Sequence, residues 1–489
     1  MLLRSTRSDS PPLGADRALL EGLAPDGGLY VPLSFPILDP ALLRPETRPY
    51  VDIAYATIAP WFDELPAAEL RAAVARAAAT FDDPLVAPLA MAGDQPVLEL
   101  FHGPTLAFKD LALTLFGDLL AMARKKVGLR EELLVIVATS GDTGSAALSG
   151  LENREGIKVV AIYPAKGVSE VQRRQMTTRS ASNCLVLGID GNFDDAQRTA
   201  KRLLSEAGPR KAILERGFSP CSANSINIGR LAPQVAYYVH AFRELLARGF
   251  LDPEGLFDVA VPSGNFGNVL AARYAKQMGA GIGSFLVATN RNRVLADFLD
   301  AGVYDRNRAF HVTTSPSMDI LVSSNLERVI FEAAGRNSER TAALMADLAT
   351  RGRYELRAGE RVAFADFRGS SADEKECAEE IRHVFDTTGY LLDPHTATAS
   401  AALRKAGKLR PTLLVATASP FKFAGIVSAA IGLEPRGDEF EAVEALAERA
   451  GLAVPRQLTG LREAVECHRR VVAPERIEAE ILAWLSGSE

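Results

Sequence analysis

The stretch LLVIVATSGDTGSAALSG, residues 133–150, contains the pattern on which the fold depends. Its apolar run at 133–138 predicts a buried strand, a polar loop continues through Gly144, and a helix is predicted from Ser145. The same order returns along the chain, with a second helix from about Phe193. Further strands are predicted in VVAIYPA (159–165), CLVLGID (184–190), LFDVAVP (256–262), SFLVAT (284–289) and TLLVATA (412–418).

Apolar strands that alternate with helices are typical of an α/β protein whose parallel sheet is covered on both faces. In such sheets ligands bind at the carboxyl ends of the strands, where the polar loops lie. The sequence therefore predicts that these loops form the functional site.

The chain of 489 residues is too long for one compact core, so we expect two or three structural units. Residues 1–85 are predicted to form an N-terminal unit, because a Pro-rich start leads into the helical pattern of PAAELRAAVARAAATF at 66–81. Residues 86–432 hold the repeated strands. Residues 433–489 are predicted to form a helical extension, because EFEAVEALAERAG and ERIEAEILAWLSG are amphipathic.

Composition excludes several functional classes. The net charge of −6 argues against a nucleic acid or an anionic membrane as the main partner. No apolar run reaches the ~18 residues of a membrane span, and the first ten residues do not resemble a signal peptide. The four cysteines are far apart and are expected to be reduced thiols in a cytoplasmic protein, and the six histidines form no HExxH motif, so no metal site is predicted.

Lys109 lies in the segment FHGPTLAFKDLALTLFG, residues 101–117, after a Gly-Pro-Thr turn and at the opening of an apolar helix. Apolar neighbours and the positive end of a helix both disfavour an ammonium group, so they favour a neutral amine. A neutral lysine is the nucleophile that condenses with aldehydes. The alternative is a lysine whose aliphatic stem packs while its amine reaches solvent.

A second candidate is the loop SGNFGN, residues 263–268, which follows a predicted strand. Its two glycines let the backbone approach a ligand, and the following helix supplies unpaired N–H groups that suit a phosphate. A purely structural turn is the alternative. Neither a dinucleotide-binding GxGxxG motif nor a P-loop lysine is present.

Two more loops follow strands. The loop TSGDTGSAA, residues 139–147, offers hydroxyls and helix-opening N–H groups to a carboxylate or a phosphate, unless Asp142 or Thr143 merely caps the helix. In ATASPFKF, residues 416–423, Thr417 ends a strand and can offer one neutral hydrogen bond, unless this is only a turn. An aldehyde for Lys109, a phosphate for the glycine loop and a ring partner in Thr417 together describe pyridoxal 5′-phosphate.

From about residue 3 to residue 430 the chain also resembles the threonine synthases, pyridoxal-phosphate enzymes of the tryptophan-synthase-β fold type. The stretches that carry the resemblance are GLAPDGGLYVP (22–32), LFHGPTLAFKD (100–110), ATSGDTGSAA (138–147), NSINIGRLAPQVAYY (224–238), VPSGNFGN (261–268), SPSMDILVSSNLER (315–328), DPHTA (393–397) and ATASPFKF (416–423).

This resemblance implies a two-lobed parallel-sheet fold of type II, with a smaller lobe at about 125–250 and a family-specific N-terminal unit. It implies that Lys109 holds the cofactor covalently and that Thr417 faces its pyridine nitrogen. The cofactor phosphate would be bound by Gly264, Asn265, Phe266, Gly267 and Asn268. The substrate carboxylate would lie at Ser140, Gly141, Asp142 and Thr143.

Further candidates for the substrate side are Asn224, Ser225, Asn227 and Arg230. Arg230 and Lys422 are cations that could receive a substrate phosphate, or else exposed members of ion pairs. His395 is either a residue that orders the site or a structural histidine.

The implied activity is a lyase reaction of threonine biosynthesis. It converts O-phospho-L-homoserine and water to L-threonine and phosphate by γ-elimination and β-addition. Two alternatives stay open: a phospho-lyase that releases 2-oxobutyrate and ammonia, and a noncatalytic ligand-binding protein on the same fold. We expect a small-molecule substrate, no nucleic-acid or membrane partner, and a monomer or homodimer.

Overall fold

Two parallel sheets carry the loops singled out above. The structure, a computed structural model, describes residues 1–46, 48–407, 410–434 and 437–487. Within these ranges no helix is both long enough and apolar enough to cross a lipid bilayer.

The described residues among the first 85 form a small antiparallel sheet and three α-helices. The strands run in the order β2-β1-β3. The elements are β1 (Leu2–Ser5), β2 (Leu13–Gly14), α1 (Ala15–Glu21), β3 (Tyr30–Pro32), α2 (Tyr50–Ile58) and α3 (Ala67–Ala78).

The next part of the chain, to residue 250, alternates strands and helices. Its elements are β4 (Leu89–Ala92), β5 (Gln95–Glu99), α4 (Asp110–Val127), β6 (Glu132–Ala138), α5 (Asp142–Leu151), β7 (Ile157–Pro164), α6 (Glu170–Thr177), β8 (Cys184–Ile189), α7 (Phe193–Ser205), α8 (Ala207–Leu214), β9 (Phe218–Ser222) and α9 (Ile228–Ala247).

The remaining elements complete the second sheet and the C-terminal region. They are β10 (Phe257–Pro262), α10 (Gly267–Gln277), β11 (Ile282–Thr289), α11 (Val294–Ala301), β12 (Val303–Asp305), α12 (Leu326–Ala333), α13 (Ser338–Arg351), β13 (Arg353–Glu355), β14 (Phe367–Ser371), α14 (Glu374–Thr388), α15 (Pro394–Ala406), β15 (Thr412–Ala416), α16 (Ala424–Ala430), α17 (Glu439–Ala450), β16 (Val471–Val472) and α18 (Ile477–Leu485).

In the described part of the chain the smaller sheet has the strand order β16-β8-β7-β6-β9, and all of its neighbouring strands are parallel. The larger sheet has the order β14-β11-β10-β15-β5-β4 and is parallel except for the β4–β5 pair. The loops after β5, β6, β9, β10 and β15 carry the candidate residues, so both sheets point their carboxyl ends toward the candidate site.

Each strand predicted from an apolar run is present, but ten of the sixteen strands among the described residues were not predicted, and one boundary differs from the prediction. In the two large sheets the unpredicted strands are β4, β5, β9, β14 and β16, and outside them they are the short strands β1, β2, β3, β12 and β13. Strand β9 contains Pro220, which an edge strand tolerates because one side of it needs no ladder hydrogen bond. Helix α5 begins at Asp142 and not at Ser145, because the chain turns into the helix at Gly141, where φ is +129°.

The division of the chain at residues 85 and 432 stays a prediction. The C-terminal residues do not form a separate layer, since β16 pairs with β8 and extends the smaller sheet by one strand.

Candidate active site

Lys109 immediately precedes helix α4, at the end of a loop that is held at several points. Inside the loop, the backbone N–H and hydroxyl of Thr105 donate to the buried carboxylate of Asp110 over 2.8 and 2.7 Å. The N–H of Phe108 donates to the carbonyl of Thr417 over 2.9 Å, which ties the loop to the end of strand β15. The backbone on both sides of Lys109 is therefore fixed before any ligand binds.

The Lys109 amine points inward. Its side chain is 11% exposed, and its Nζ lies 3.5 Å from Asp142 Oδ2 and 3.4 Å from Ser317 Oγ. Burial lowers the pKa of Lys109 to about 8, although Asp142 opposes this shift, and the cations Arg230 and Lys422 add to it. The amine is consequently protonated at neutral pH but loses its proton far more easily than a lysine in water. The expectation of an uncharged amine is thus corrected to one near its point of deprotonation.

Asp142, at the start of α5, holds the cations of the site together. Its carboxylate lies 2.7 Å from Lys422 Nζ and accepts hydrogen bonds from Gln172 Nε2 over 2.8 Å and Ser317 Oγ over 2.9 Å. Burial alone raises the pKa of Asp142, but Lys422 and Lys109 outweigh it and hold that pKa well below its usual range. Asp142 is therefore an anion within the site.

Two alternatives raised by the sequence were wrong: neither Asp142 nor Thr143 caps α5, and Lys422 is not an exposed member of an ion pair. The N-cap position of α5 is Gly141, and the hydroxyl of Thr139 accepts from the N–H groups of Gly141 and Gly144. Ser140 and Thr143 lie beside this turn and are partly exposed. Lys422 is fully buried and also donates to the carbonyl of Thr105 over 2.8 Å, so it is not an exposed ion-pair residue.

The glycine loop after strand β10 lies against the segment that contacts Lys109. A Cβ at Gly264 would come within 2.8 Å of the Ser317 carbonyl, so only glycine fits this contact. Phe266 has a φ of +61° and turns the chain into α10, where Leu270 N–H is bonded to the Phe266 carbonyl. N–H groups in a first helical turn have no partner within the helix, so those of Gly267 and Asn268 are available to an anion.

Asn268 has an incomplete set of hydrogen bonds. Its Oδ1 accepts from the hydroxyl of Tyr238, whereas its buried Nδ2 has no partner among the described residues. A buried amide donor without an acceptor is costly, so an acceptor from a ligand is expected there.

Segment 315–328 links the separate loops. Ser317 contacts both Lys109 and Asp142, as described above, and Ser323 Oγ donates to the Gly264 carbonyl over 2.7 Å. The Asn325 Nδ2 donates to the carbonyl of Asn265 over 3.1 Å and reaches Ser225 Oγ at 3.4 Å. One segment thus joins the lysine, the glycine loop and the region of residues 224–230.

Thr417 and His395 are both oriented by the buried carboxylate of Asp393. Asp393 Oδ1 lies 2.9 Å from Nδ1 of His395, whose Nε2 in turn accepts from the Ser317 N–H over 3.3 Å. Asp393 Oδ2 accepts from the hydroxyl of Thr396, and that hydroxyl also lies 3.4 Å from the Thr417 N–H. Through these contacts one carboxylate supports the backbone of Ser317 and that of Thr417.

The candidate residues between 224 and 230 differ in their burial and in their hydrogen-bond partners. Asn227 is buried and caps α9: its Oδ1 accepts from the Gly229 N–H, and its Nδ2 donates to the carbonyls of Leu19 and Ser222. Its side chain is therefore occupied in holding the fold rather than free for a ligand. Asn224 is exposed, and Ser225 is partly exposed beside Asn325.

Arg230 is 2% exposed and has no carboxylate partner among the described residues. Its Nη1 donates to the Ala223 carbonyl over 2.7 Å, while no acceptor lies near its Nε in that part of the chain. Burial lowers the pKa of Arg230 to about 10. A buried guanidinium without a counterion is unfavourable unless an anion binds to it.

Sequence reasoning did not assign several residues that hold this site together. Ser317 and Asn325 lie in SPSMDILVSSNLER and Asp393 lies in DPHTA, two stretches that had been singled out without roles for these side chains. Gln172 lies in a segment without any motif, and only its position in the fold identifies it.

These residues fit pyridoxal 5′-phosphate. The buried amine of Lys109 suits an aldehyde, the opening of α10 suits a phosphate, and the unpaired donors of Asn268 and Arg230 lack acceptors that a cofactor and an anionic substrate would bring. All of these groups lie at the carboxyl ends of the two sheets.

Comparison with known proteins agrees with this chemistry. The family model described as "Pyridoxal-phosphate dependent enzyme" matches residues 97–419, and the one described as "Threonine synthase N terminus" matches residues 3–78. The chain is 38% identical over 439 residues to threonine synthase of Pseudomonas aeruginosa, which covers 88% of this chain and 91% of that protein.

It is also 38% identical over 436 residues to human "Threonine synthase-like 1", which covers 85% of this chain but only 58% of that longer protein. The crystal structure of threonine synthase from Brucella melitensis with bound pyridoxal phosphate superimposes with a TM-score of 0.88 at 36% identity, over 99% of each chain. The predicted fold type is confirmed by this match. The chain therefore belongs to the threonine synthase family of pyridoxal-phosphate-dependent enzymes.

Proposed function

We propose that the protein is a threonine synthase that converts O-phospho-L-homoserine and water to L-threonine and phosphate. The observation that carries this proposal is the buried Lys109 amine, with a pKa lowered to about 8, set between Asp142 and Ser317. A protein that only bound a ligand would gain nothing from a lysine in this state.

Bound pyridoxal phosphate would supply a conjugated electron sink for the negative charge that develops on the substrate carbons. Lys109 would hold this cofactor covalently, and the opening of α10 at residues 264–268 would bind its phosphate. Phe266 and the two glycines place the backbone, and Asn268 adds its free amide donor.

Lys109 is also the group we propose for proton transfer. A base is most effective when its pKa lies near the working pH, because it must both take up and return a proton. With a pKa of about 8, Lys109 can accept the proton from Cα or Cβ and donate it again within the same cycle. Asp142 favours the protonated amine, and the nearby cations favour the neutral one.

Arg230 is the group we propose for the substrate phosphate. Its unpaired Nε and its burial give it a strong preference for an anion. Lys422 is less suited to this role, because its charge is already matched by Asp142 at 2.7 Å. The loop at residues 140–143 remains our proposal for the substrate carboxylate, through the partly exposed hydroxyls of Ser140 and Thr143 rather than the anionic side chain of Asp142.

Thr417 is proposed to face the pyridine nitrogen of the cofactor. A hydroxyl cannot stabilise a protonated ring as a carboxylate would, and a less electron-poor ring favours elimination and replacement over transamination. The backbone of Thr417 is held by Phe108 and Thr396 on either side, which would keep this hydrogen bond in place.

Product analysis with O-phospho-L-homoserine tests the proposal. We expect equal amounts of threonine and phosphate, and a loss of about a thousandfold or more for Lys109→Ala. Lys126→Ala, which removes an exposed lysine from α4, the helix directly after Lys109 in the chain, is the matched control and should keep full activity.

Two outcomes would overturn the proposal. Release of 2-oxobutyrate and ammonia in place of threonine would identify a phospho-lyase. A protein that takes up no pyridoxal phosphate and forms no product would be a noncatalytic binder.

We further propose a cytoplasmic enzyme that acts as a monomer or a homodimer. Light scattering of the purified protein distinguishes the two assembly states, since one chain has a mass of 52.5 kDa.

A further inference from the structure

The C-terminal extension reaches the candidate active site by way of helix α6, and Gln457 separately donates to the carbonyl of Gly103, in the loop before Lys109, over 3.1 Å. One side of α6 faces Asp142 and the opening of α5, and the other faces residues of the extension between 439 and 467.

On the active-site side, Gln172 is held in a single position. Its Nε2 donates to Asp142 Oδ1 over 2.8 Å, and its Oε1 accepts from the Ser169 N–H over 3.3 Å in a capping box. The same side chain packs so closely on Gly141 that a Cβ there would lie 2.6 Å from it. Gln172 is therefore one of three side chains, with Lys422 and Ser317, that fix the position of the Asp142 carboxylate.

The rest of that face touches the same site. The Gln175 Nε2 reaches the carbonyl of Thr105, which also accepts from Lys422, over 3.5 Å. A Cβ at Gly144 would lie 2.8 Å from Met176 Sδ, so α6 and the opening of α5 are in close contact. A shift of α6 would therefore change the positions of the Asp142 and Lys422 side chains.

On its other side, α6 is held by charged and backbone contacts from the extension. Glu466 accepts from Arg173 over 2.9 Å and from Arg174 over 3.1 Å. Arg174 also donates to the carbonyls of Leu461 and Ala464 over 2.8 and 2.7 Å.

Both ends of α6 are held as well. At its first turn the N–H of Val171 donates to Glu439 over 3.0 Å, and at its last residue the Thr177 carbonyl accepts from the N–H of Cys467 over 2.8 Å. The extension therefore contacts α6 from its first turn to its last residue, across the full length of eight residues.

We propose that the C-terminal extension positions Asp142 for catalysis, with Glu466 and Gln172 as positioning residues that act through helix α6. Neither residue touches the reacting atoms. Their effect passes from the extension to α6, from Gln172 to Asp142, and from Asp142 to the amine of Lys109. This inference rests on the proposed function.

A double-mutant cycle between Glu466 and Gln172 tests the proposal. The variants are Glu466→Gln, Gln172→Met, which keeps the length of the side chain, and the double variant. Each is assayed for kcat and for the rate at which the cofactor-free protein takes up pyridoxal phosphate at a series of pH values.

If the extension acts through Gln172, Glu466→Gln lowers kcat about fivefold in the natural background and less than about twofold when Gln172 is already Met. Both single variants should move the pH midpoint of cofactor uptake in the same direction, and the double variant should move it no further than Gln172→Met alone.

Glu478→Gln is the matched control. It removes an extension carboxylate that pairs with Arg202 of α7 at 2.9 Å and does not contact α6. This variant should leave kcat and the pH midpoint unchanged, and thermal melting of each variant confirms that the protein has folded.

Equal effects of Glu466→Gln in both backgrounds, or no effect in either, would overturn the proposal. So would a control variant that behaves like Glu466→Gln. Cofactor uptake reports on Lys109 whatever the product is, so the cycle can be read even if the assay shows that no threonine forms.

Discussion

The Nζ of Lys422 lies 2.7 Å from Oδ1 of Asp142, and neither side chain has appreciable contact with solvent. A buried ion pair of this kind contributes little net stability while both members are present, but it becomes costly when one is removed.

We therefore expect Asp142→Asn to lower the free energy of unfolding by about 3 kcal/mol, because Lys422 would remain buried without a counterion. Denaturant unfolding of the cofactor-free protein measures this change. Asp52→Asn removes an exposed partner of Arg71 and should cost less than about 1 kcal/mol. A loss below 1 kcal/mol for Asp142→Asn would show that Lys422 finds another partner.

The rate of pyridoxal phosphate uptake should rise with pH and reach half its maximum at about pH 8. Only the neutral amine attacks an aldehyde, and the pKa of Lys109 is about 8. Asp142 opposes the lowering of this pKa, so Asp142→Asn should move the midpoint to lower pH. Stopped-flow absorbance on cofactor-free protein gives both profiles. An unchanged midpoint in Asp142→Asn would contradict the assigned ion pair, and Lys126→Ala is the neutral control.

Arg230→Met should make the cofactor-free protein more stable while making the enzyme much less active. The substitution removes a buried cation that has no counterion, which outweighs the loss of its one hydrogen bond to the Ala223 carbonyl, so the free energy of unfolding should rise by about 1 kcal/mol. Loss of the proposed phosphate contact should lower kcat/KM about 100-fold, the effect of one hydrogen bond to a charged group.

Arg328 provides the matched comparison for Arg230. It is equally buried but donates to the carbonyls of Tyr30 and Ile226 and to the side chain of Asn325. Arg328→Met should therefore destabilise the protein, because it leaves these acceptors unpaired. If both variants lost stability, Arg230 would have to be classed as a structural residue.

Replacement of Thr417 by Val should lower kcat about tenfold, because it removes one hydroxyl hydrogen bond to the cofactor and keeps the shape of the side chain. Thr417→Ser keeps the hydroxyl and should stay within about threefold of the natural enzyme. Steady-state assays with saturating cofactor measure both. Equal activity of the two variants would exclude a role for the hydroxyl.

Local sequence was enough to locate the loops of the site. In a parallel α/β protein the loop after each strand reaches the same edge of its sheet, so apolar runs before residues 263 and 417 were sufficient to bring these two loops together. The loop at residue 139 follows a strand of the smaller sheet, and only the packing of the two sheets brings it to the same site. The turn before Lys109 and the glycine loop at 263–268 each depend on the identity of a few adjacent residues, so the local sequence is enough to identify them.

What sequence did not reveal depends on distant contacts. Ser317 is 208 residues from Lys109 in the chain. Its hydroxyl can be assigned to the site only because the fold packs its segment against Lys109 and the glycine loop after β10. The pairing of Asp142 with Lys422 and Gln172 likewise joins three separate elements. Strand β16 is two residues long and would not be recognised without the β8 strand beside it.

That short strand has a consequence for the behaviour of the chain outside catalysis. The N–H groups of Gly188 and Asp190 donate to carbonyls of Arg470 and Val472, so the β8 side of the smaller sheet is covered. Without residues 433–487, β8 would present a row of unsatisfied peptide groups on a strand made entirely of buried residues. Molecules truncated after residue 432 should therefore associate edge to edge and precipitate, and the terminal segment protects the colloidal stability of the whole protein.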